Sequence, residues 1–406
     1  MATSTAASLY DSNNQIEIQT LTLKKPTGTV VLDISAIMQQ IIIYEDMFQA
    51  ALSADLFIVD QVNLVGTFPI VGGETLSITY KTPFYTDVIS LDFIIYGVGD
   101  RGIDNDTGNV QVSHLKLCTP EIWWAANNDS SAGYTGTYSD IIAKIIKSTG
   151  TKKKFLNQEN SVGVVNYVGP SCNIFASIKF CAARANTQTM SPMFFWESPA
   201  GYNLRSLKEA YRADYSKYIY LGSRNQADQG DADRLFNTAY DFDYVEGNNR
   251  LKQYTANAFG ANNFTVDLNN KTLSKSVNTY DDVFNAKDIK LNKYPLNDPM
   301  KDSRSLTGYI PWRADLSHNS AYVRKANLAM MDNLKMMVNI PGDTALKAGD
   351  VVWLDVPSRS GLGVDIEKFS SGKWLLRSIK HLITKTTYSM TCELTKDSFD
   401  ADVTTM

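Results

Sequence analysis

IIIYEDMFQAALSADLFIVD, residues 41–60, is among the most apolar twenty-residue windows of the chain, yet Glu45, Asp46, Asp55 and Asp60 lie within it. A bilayer span needs about 18 consecutive apolar residues, and acids near its middle are costly. The chain contains no such run, so no membrane insertion is expected. The window instead divides into two short runs, 41–44 and 56–59, apolar on both faces as strands covered on both sides are. Glu45 and Asp46 then sit where the chain leaves the first strand after Tyr44, and Asp55 and Asp60 bracket the second. Such acids either solvate turns within one chain or face a subunit boundary, and the residues leave both readings open.

A period of two dominates elsewhere. Apolar and polar residues alternate over 76–80, over 264–268 and over 388–394, the mark of half-buried strands. Asn269 and Asn270 directly after the second of these suit a tight hairpin turn. Three segments switch to a helical period. Ser139 is placed to cap a helix carrying Ile141, Ile142, Ile145 and Ile146, with Gly150 ending it. Pro170 and Ser171 precede a second, whose apolar face holds Ile174, Phe175, Ile178, Cys181 and Ala182. A third covers 320–331, with Tyr322, Val323, Ala326 and Met330 on one side. Two of the three fall within 116–190 and none before it, which predicts an α/β insertion between two β-rich blocks. The blocks echo one another: GGETLSITYKTP (72–83) and AGDVVWLDVPS (348–358) each read as a Gly-acid turn, an apolar strand and a terminating Pro.

Composition narrows the function. With 406 residues, a formal charge of −4 and 44% hydrophobic residues, the chain is long enough for two or three domains. A pI near 5.5 offers no electrostatic basis for nucleic-acid binding, and Lys152, Lys153 and Lys154 read as a solvated loop. The four cysteines form no C-x-x-C pair and read as free thiols. The first 15 residues carry no secretory pattern and read as a flexible tail.

Site chemistry is sparse. The three histidines, His114, His318 and His381, are far apart, and two lie in strand-like runs where a hydrogen-bonded structural role is expected. Asp104, Asn105, Asp106 and Gly108 begin like a calcium loop, but the Gly falls one place early and Leu115 stands where the bidentate Glu belongs. Asp228, Asp231 and Asp233 read as a turn around Gly230. Gly97-Val98-Gly99 lacks the third Gly and the helix of a phosphate loop. Glu197, beside Trp196, allows a carbohydrate-active enzyme as one alternative, although no partner carboxylate can be identified and the Ser-Pro-Ala-Gly after it is a ready turn. Trp123 and Trp124 near Pro120 read as packing at a domain junction; exposed, they would serve the other alternative, a receptor-binding module. The balance predicts a structural or assembly protein without catalytic, cofactor or metal residues.

Three blocks add a family resemblance. They are VVLDISAIMQQIIIYEDMFQAALSADLFIVDQVNLVGTFPIVGGETLSITYKTP (30–83), the helix after Pro170 followed by MFFWESPAGYNLRSL (193–207), and MMVNIPGDTALKAGDVVWLDVPS (336–358) with GKWLLRSIKHLI and TYSMTCELTKDSF after it. In this order they resemble the central baseplate hub protein of contractile-tailed bacteriophages, which is related to the N-terminal part of type VI secretion spike proteins. The motif residues are Tyr44, Glu45, Asp46, Pro69, Gly72, Glu74, Trp196, Glu197, Gly201, Tyr202, Gly349 and Asp350. The first 25 residues and 221–300 match poorly.

The resemblance implies a mainly β chain with two tube-like antiparallel β-barrels and an inserted α/β domain. Its expected bounds are a tail at 1–15, a first barrel at 16–115, an insertion at 116–231 and 273–324, a second barrel at 232–272 and 325–397, and a tail at 398–406. It implies a homotrimer whose six barrels present pseudo-sixfold symmetry. The implied neighbours are the tail tube or tube-initiator proteins above, the central spike below, wedge proteins around and the tape measure protein in the lumen. DNA would pass through the lumen without specific binding. The implied location is the virion tail baseplate, with assembly in the bacterial host cytoplasm. Ring closure would pair strand edges that a lone barrel leaves open.

Overall fold

The computed structural model describes residues 14–28, 30–60, 68–83, 88–103, 111–157, 159–221, 236–256, 258–279, 289–295, 307–311, 320–357, 367 and 369–401. Its first half is a run of strands: β1 (Glu17–Lys24), β2 (Val31–Asp33), β3 (Met38–Asp46), β4 (Ser53–Asp60), β5 (Thr75–Lys81), β6 (Ile89–Ile103) and β7 (Gln111–Cys118). In β5 the alternation works as expected: Leu76, Ile78 and Tyr80 are buried while Thr75, Ser77, Thr79 and Lys81 face outward. The opening window becomes β3 and β4, paired antiparallel with Ile41 opposite Leu56 and Tyr44 opposite Ser53. Neighbours run β2-β1-β5-β6-β7-β4-β3, all antiparallel. Because β2 leads directly into β3, the sheet curls back on itself.

The second half repeats this order. Its strands are β10 (Tyr215–Leu221), β11 (Thr238–Ala239), β12 (Asp241–Glu246), β13 (Leu334–Pro341), β14 (Val351–Asp355), β15 (Gly372–Thr384) and β16 (Tyr388–Lys396). Their neighbours run β11-β10-β14-β15-β16-β13-β12. One strand differs in direction: β10 lies parallel to β14 and β11, where β1 is antiparallel to both of its partners. Elsewhere the correspondence reaches single hydrogen bonds. The Gly73 N–H donates to Ile95 O at 2.8 Å and the Ile95 N–H to Glu74 O at 2.9 Å; Gly349 and Leu376 make the matching bond at 2.7 Å, and Leu376 and Asp350 the other at 2.8 Å. Gly73 and Gly349 have φ of 87° and 89°, a left-handed conformation open mainly to glycine. A bulge follows in both long strands, between Ile95 and Gly97 and between Leu376 and Ser378. The faint sequence echo is therefore a structural repeat.

The halves are one 14-stranded sheet. Strand β15 takes β14 along residues 372–375 and β3 along residues 378–384 of the same edge, with Ile43 opposite His381 and Asp46 opposite Ser378. One apolar core follows, running from Leu21, Ile41 and Leu117 to Met336, Leu376 and Cys392.

Between the halves sit helices α1 (Pro120–Ala126), α2 (Tyr138–Ser148) and α3 (Ile174–Arg184), the hairpin β8 (Met193–Ser198) and β9 (Gly201–Ser206), and helix α4 (Leu207–Arg212). Ile141, Ile142, Ile145 and Ile146 of α2 are buried against Ile178, Phe195 and Leu204, each contributing roughly 2 kcal/mol of transfer free energy. The α2 cap is Thr137 rather than Ser139, which lies inside the helix. Thr137 Oγ1 accepts from the Asp140 N–H and Asp140 answers the Thr137 N–H, a capping box that outcompetes a lone serine. The second helix begins at Ile174, capped by Asn173, and carries the expected face except that Phe175 is only partly covered.

Other differences concern where strands go. Tyr215–Leu221, assigned above to the insertion, lies in the main sheet because its alternating Lys217, Ile219 and Leu221 are buried beside β14. Gly260–Asp267, assigned above to the second barrel, forms a separate sheet with Thr272–Thr279 and Thr307–Pro311. Its hairpin turns at 268–271 as the asparagines predicted, with Asp267 Oδ1 accepting from the N–H groups of Asn269 and Asn270. Ser398–Phe399, assigned above to a tail, pairs with Tyr294–Pro295, and Phe399 is fully buried. Asp104, Asn105, Asp106, Asp228, Asp231, Asp233 and His318 lie outside the described residues. No described helix is long and apolar enough to cross a membrane.

Candidate functional site

Of the motif residues, Glu45, Trp196, Glu197 and Gly349 gather where the two halves of the sheet and the insertion meet. Ala348, in the turn before β14, is the common point. Its N–H donates to Glu45 Oε1 of the first barrel at 2.9 Å, and its carbonyl accepts from Trp196 Nε1 of the insertion at 3.1 Å. Arg205 Nη1 reaches Gly349 O next to it at 3.4 Å. Trp196 packs so closely on Gly349 that a Cβ there would lie 2.5 Å from Trp196 Cζ2. Met47, Phe194, Trp196, Val351 and Leu375 bury the remainder of the joint.

Glu45 is 1% exposed, so it solvates no turn. Its other oxygen lies 3.4 Å from His381 Nε2, and His381 Nδ1 is 2.8 Å from the Tyr388 hydroxyl. His381 thus bridges Glu45 of the first half and Tyr388, and burial holds the Tyr388 phenol far above its ordinary range. Asp46, beside Arg377, accepts from the Phe48 N–H at 2.8 Å, and burial raises its carboxyl. Tyr44 is 37% exposed and keeps its hydroxyl near Asp55.

The two Gly-acid turns hold their acids differently. Burial pushes the Asp350 carboxyl up to about 6, against the Lys347 N–H that it accepts at 3.1 Å. Burial also works on Glu74, but the N–H groups of Val71 and Gly72, at 3.1 and 2.9 Å, together with Lys25 at 3.3 Å outweigh it and hold that carboxyl low. The same Lys25 ammonium donates to the Pro69 carbonyl. Pro69, Gly72 and Glu74 are thus one locked turn.

Glu197 is likewise 1% exposed. Oε2 accepts from the Leu52 N–H of the first barrel at 3.0 Å, and Oε1 meets Lys153 Nζ at 2.6 Å. Lys153 meets Glu121 at 2.6 Å as well, so one ammonium lies between two carboxylates. Burial pushes Glu197 up and Lys153 pulls it back, leaving the carboxyl above its ordinary value. Tyr202 stacks on Phe195 in the hairpin behind them. Gly201, at φ 129°, lets Lys154 O approach to where a Cβ would be 2.4 Å away. An open cleft of about 990 Å³ is lined in part by Glu121, Lys153 and Glu197, and there both Glu197 oxygens are already held, by the Leu52 N–H and by Lys153. As a glycosidase acid it would need a sugar where Lys153 stands.

Sequence reasoning missed Lys153, Glu121, Ala348 and Arg205. The lysine cluster expected to be solvated sends Lys153 between two acids 32 and 44 residues away, a pairing that no local pattern reveals. His381 was read as structural, and its partner Glu45 lies 336 residues away. His114 bonds Asp55 at 2.8 Å and stacks on Phe57. Trp123 and Trp124 are 38% and 37% exposed, and Trp123 lies against the Gly73 turn. All four cysteines are free, and among the described residues no three His, Cys, Asp or Glu side chains form a metal-binding group.

Removal of the shared cation should show how the cluster works. Lys153→Met is expected to cost about 2 kcal/mol near pH 7, less than for a fully sealed pair because the lysine is partly exposed. With the ammonium gone the Glu197 pKa rises further in the folded chain, while its unfolded value stays put. The folded state then holds a proton that the unfolded state releases, so the deficit shrinks as pH falls through that raised pKa. Urea unfolding at about pH 7 and about pH 5 tests the sign; a deficit that grows in acid would contradict it.

No family model matches the sequence. Over 294 residues, 64% of this chain, it is 22% identical to the probable baseplate hub protein gp334 of Vibrio phage KVP40, and the match spans 66% of that relative's length. The fold is similar to a tail protein from Neisseria meningitidis MC58, with a TM-score of 0.57, 12% identity and coverage of 93% of this chain and 96% of that one. It is also similar to the 43 kDa tail protein of prophage MuSo2 from Shewanella oneidensis, with a TM-score of 0.58, 10% identity and coverage of 94% and 99%. The chain is mainly β, has the fold of phage tail proteins and is similar in sequence to a phage baseplate hub protein, as its motifs indicated.

Proposed function

We propose that the chain is the non-enzymatic hub of a contractile tail baseplate. Three copies form a ring whose six barrels match the hexameric tail tube or its initiator above and the trimeric central spike below. Wedge proteins surround the ring, and the tape measure protein and then DNA pass through its lumen. The chain acts in the virion tail after assembly in the host cytoplasm, without a cofactor. The observation that carries this reading is the repeat within one chain: the same strand order, the same Gly-acid turn and the same bulge occur twice, and a continuous ladder joins the copies. A ring of three such chains has near-sixfold surfaces and threefold symmetry together, which is what a tube-to-spike adaptor requires. The sealed acids at the triple junction favour load transfer over bond chemistry, since a rigid joint moves its partners as one body.

Light scattering on purified protein tests the assembly. The expected species has three times the 45.1 kDa chain mass. A chain that stays monomeric at all accessible concentrations, alone and with a spike protein, would sink the proposal.

A further inference from the structure

Phe175 belongs to the apolar face of α3, yet it is only partly covered. With Phe48, Ile122 and Phe194 it lines an open groove of about 400 Å³, formed by the β3–β4 turn, α3, β8 and a helix α5 (Ser320–Met331). Phe48 and Phe194 meet there edge to face at 5.3 Å. Two cations also line the groove, Lys179 of α3 and Arg324 of α5, and no Asp or Glu does. Lys179 is exposed and Arg324 is partly buried. Arg324 Nη1 donates to Met193 O at 3.1 Å and reaches Ala182 O at 3.5 Å, and the guanidinium lies 5.6 Å from the centre of the Phe194 ring. Among the described residues neither cation has a carboxylate partner. Burial therefore pushes the Arg324 guanidinium down to about 10, with no acid to raise it. Arg377, over the same Phe48 ring, is by contrast paired with Asp332 and Glu393 at 3.3 and 3.1 Å. A guanidinium drawn partly out of water without a counter-charge is unfavourable, and its planar fork is shaped for a carboxylate.

We propose that this groove is a docking site for an acidic segment of a partner protein, in which an Asp or Glu pairs with Arg324 and an apolar neighbour lies among Phe48, Phe175 and Phe194. Charge sets the class of occupant: a chain of net charge −4 places two unpaired cations and no acid at this one apolar site. The cations stand on different helices, so an occupant that meets both is extended and carries a second acid for Lys179, which favours a polypeptide over a small carboxylate. The site stands apart from the ring proposed above, because every residue that lines it comes from one chain.

Calorimetric titration of the full chain with blocked peptides tests this. The probe is acetyl-Leu-Glu-Phe-Glu-Leu-amide, and its control has Gln in place of both Glu. The Glu peptide is expected to bind with a Kd on the order of 0.1 mM and the Gln peptide roughly tenfold more weakly, the difference a charge-assisted pair makes. Arg324→Met should bring the Glu peptide down to the level of the Gln peptide and leave the Gln peptide unchanged, while Lys179→Met, on an exposed position, should weaken the Glu peptide roughly threefold. The free Arg324→Met chain should keep its urea midpoint or raise it, because an unpaired cation is replaced by an apolar side chain of similar length. Equal affinity for the two peptides, or no binding of either at millimolar concentration, would overturn the docking site. Octanoate binding as tightly as the Glu peptide, and weakened equally by Arg324→Met, would make the groove a small-carboxylate pocket and overturn the polypeptide occupant. A lowered urea midpoint in Arg324→Met with unchanged peptide binding would leave the guanidinium serving only the Met193 and Ala182 carbonyls, and the proposal would fail.

Discussion

Glu45→Ala is expected to lower the unfolding free energy by about 2–4 kcal/mol, the range for stranding buried hydrogen-bonding groups. The carboxyl group accepts from the Ala348 N–H at 2.9 Å and faces His381 Nε2 at 3.4 Å, and both partners are buried. Truncation also opens a void near the buried Tyr80 and Tyr388 phenols, which both feel the Glu45 charge. Glu45→Gln keeps a carbonyl oxygen for Ala348 and nearly the same volume, so it should lose less than half as much. Urea denaturation of both variants checks the order. Equal losses would mean that volume, not the hydrogen bonds, decides the site, and a neutral Glu45→Ala would remove it from the joint altogether. Because Glu45 ties the first barrel to the turn of the second, the truncation is also expected to broaden the transition as the halves unfold less cooperatively.

How much of this joint could be read beforehand depends on how local each cause is. Strands β5 and β16 were legible because alternation is written into consecutive residues and burial follows it, as Tyr388, Met390, Cys392 and Leu394 demonstrate. Helix α2 was legible from its isoleucine spacing, but its first residue was not, because Thr137 and Ser139 are both capable caps and only the Asp140 answer decides between them. The direction of β10 was not legible at all: a parallel partner is chosen by a distant strand, Val351–Asp355, and leaves the same alternating pattern. The repeat sat between these cases. Its Gly-acid turn survives in sequence because positive φ demands glycine, while the ladders around it are backbone bonds that many side chains permit. Glu45 and Glu197 were singled out as acids at strand ends, but their partners lie hundreds of residues away or across the insertion, so their role as buried ties needed the fold.

Gly349→Ala is expected to be strongly damaging, and its counterpart Gly73 supplies the control. Gly73 and Gly349 share a left-handed φ and the same pair of ladder bonds. An added methyl therefore meets similar backbone strain at both, about 1–2 kcal/mol for a residue forced into that region. The surroundings differ. At Gly73 a Cβ would rest 3.6 Å from Pro26 and Trp123, ordinary contact, whereas at Gly349 it would lie 2.5 Å from the Trp196 ring. Trp196 cannot retreat easily, because it is 1% exposed and its Nε1 is bound to Ala348 O one residue away. Gly349→Ala should therefore cost about 2 kcal/mol or more beyond Gly73→Ala, in the range of overpacked cores. Thermal and urea unfolding of the two variants gives the difference directly. If they lose equal stability, the collision is relieved by movement of the hairpin and the insertion is not keyed to the second barrel through Trp196. If Gly349→Ala alone also weakens the proposed trimer while Gly73→Ala does not, the triple junction is what sets the angle between the two halves of a chain. That angle has to be held if six barrels are to close a ring.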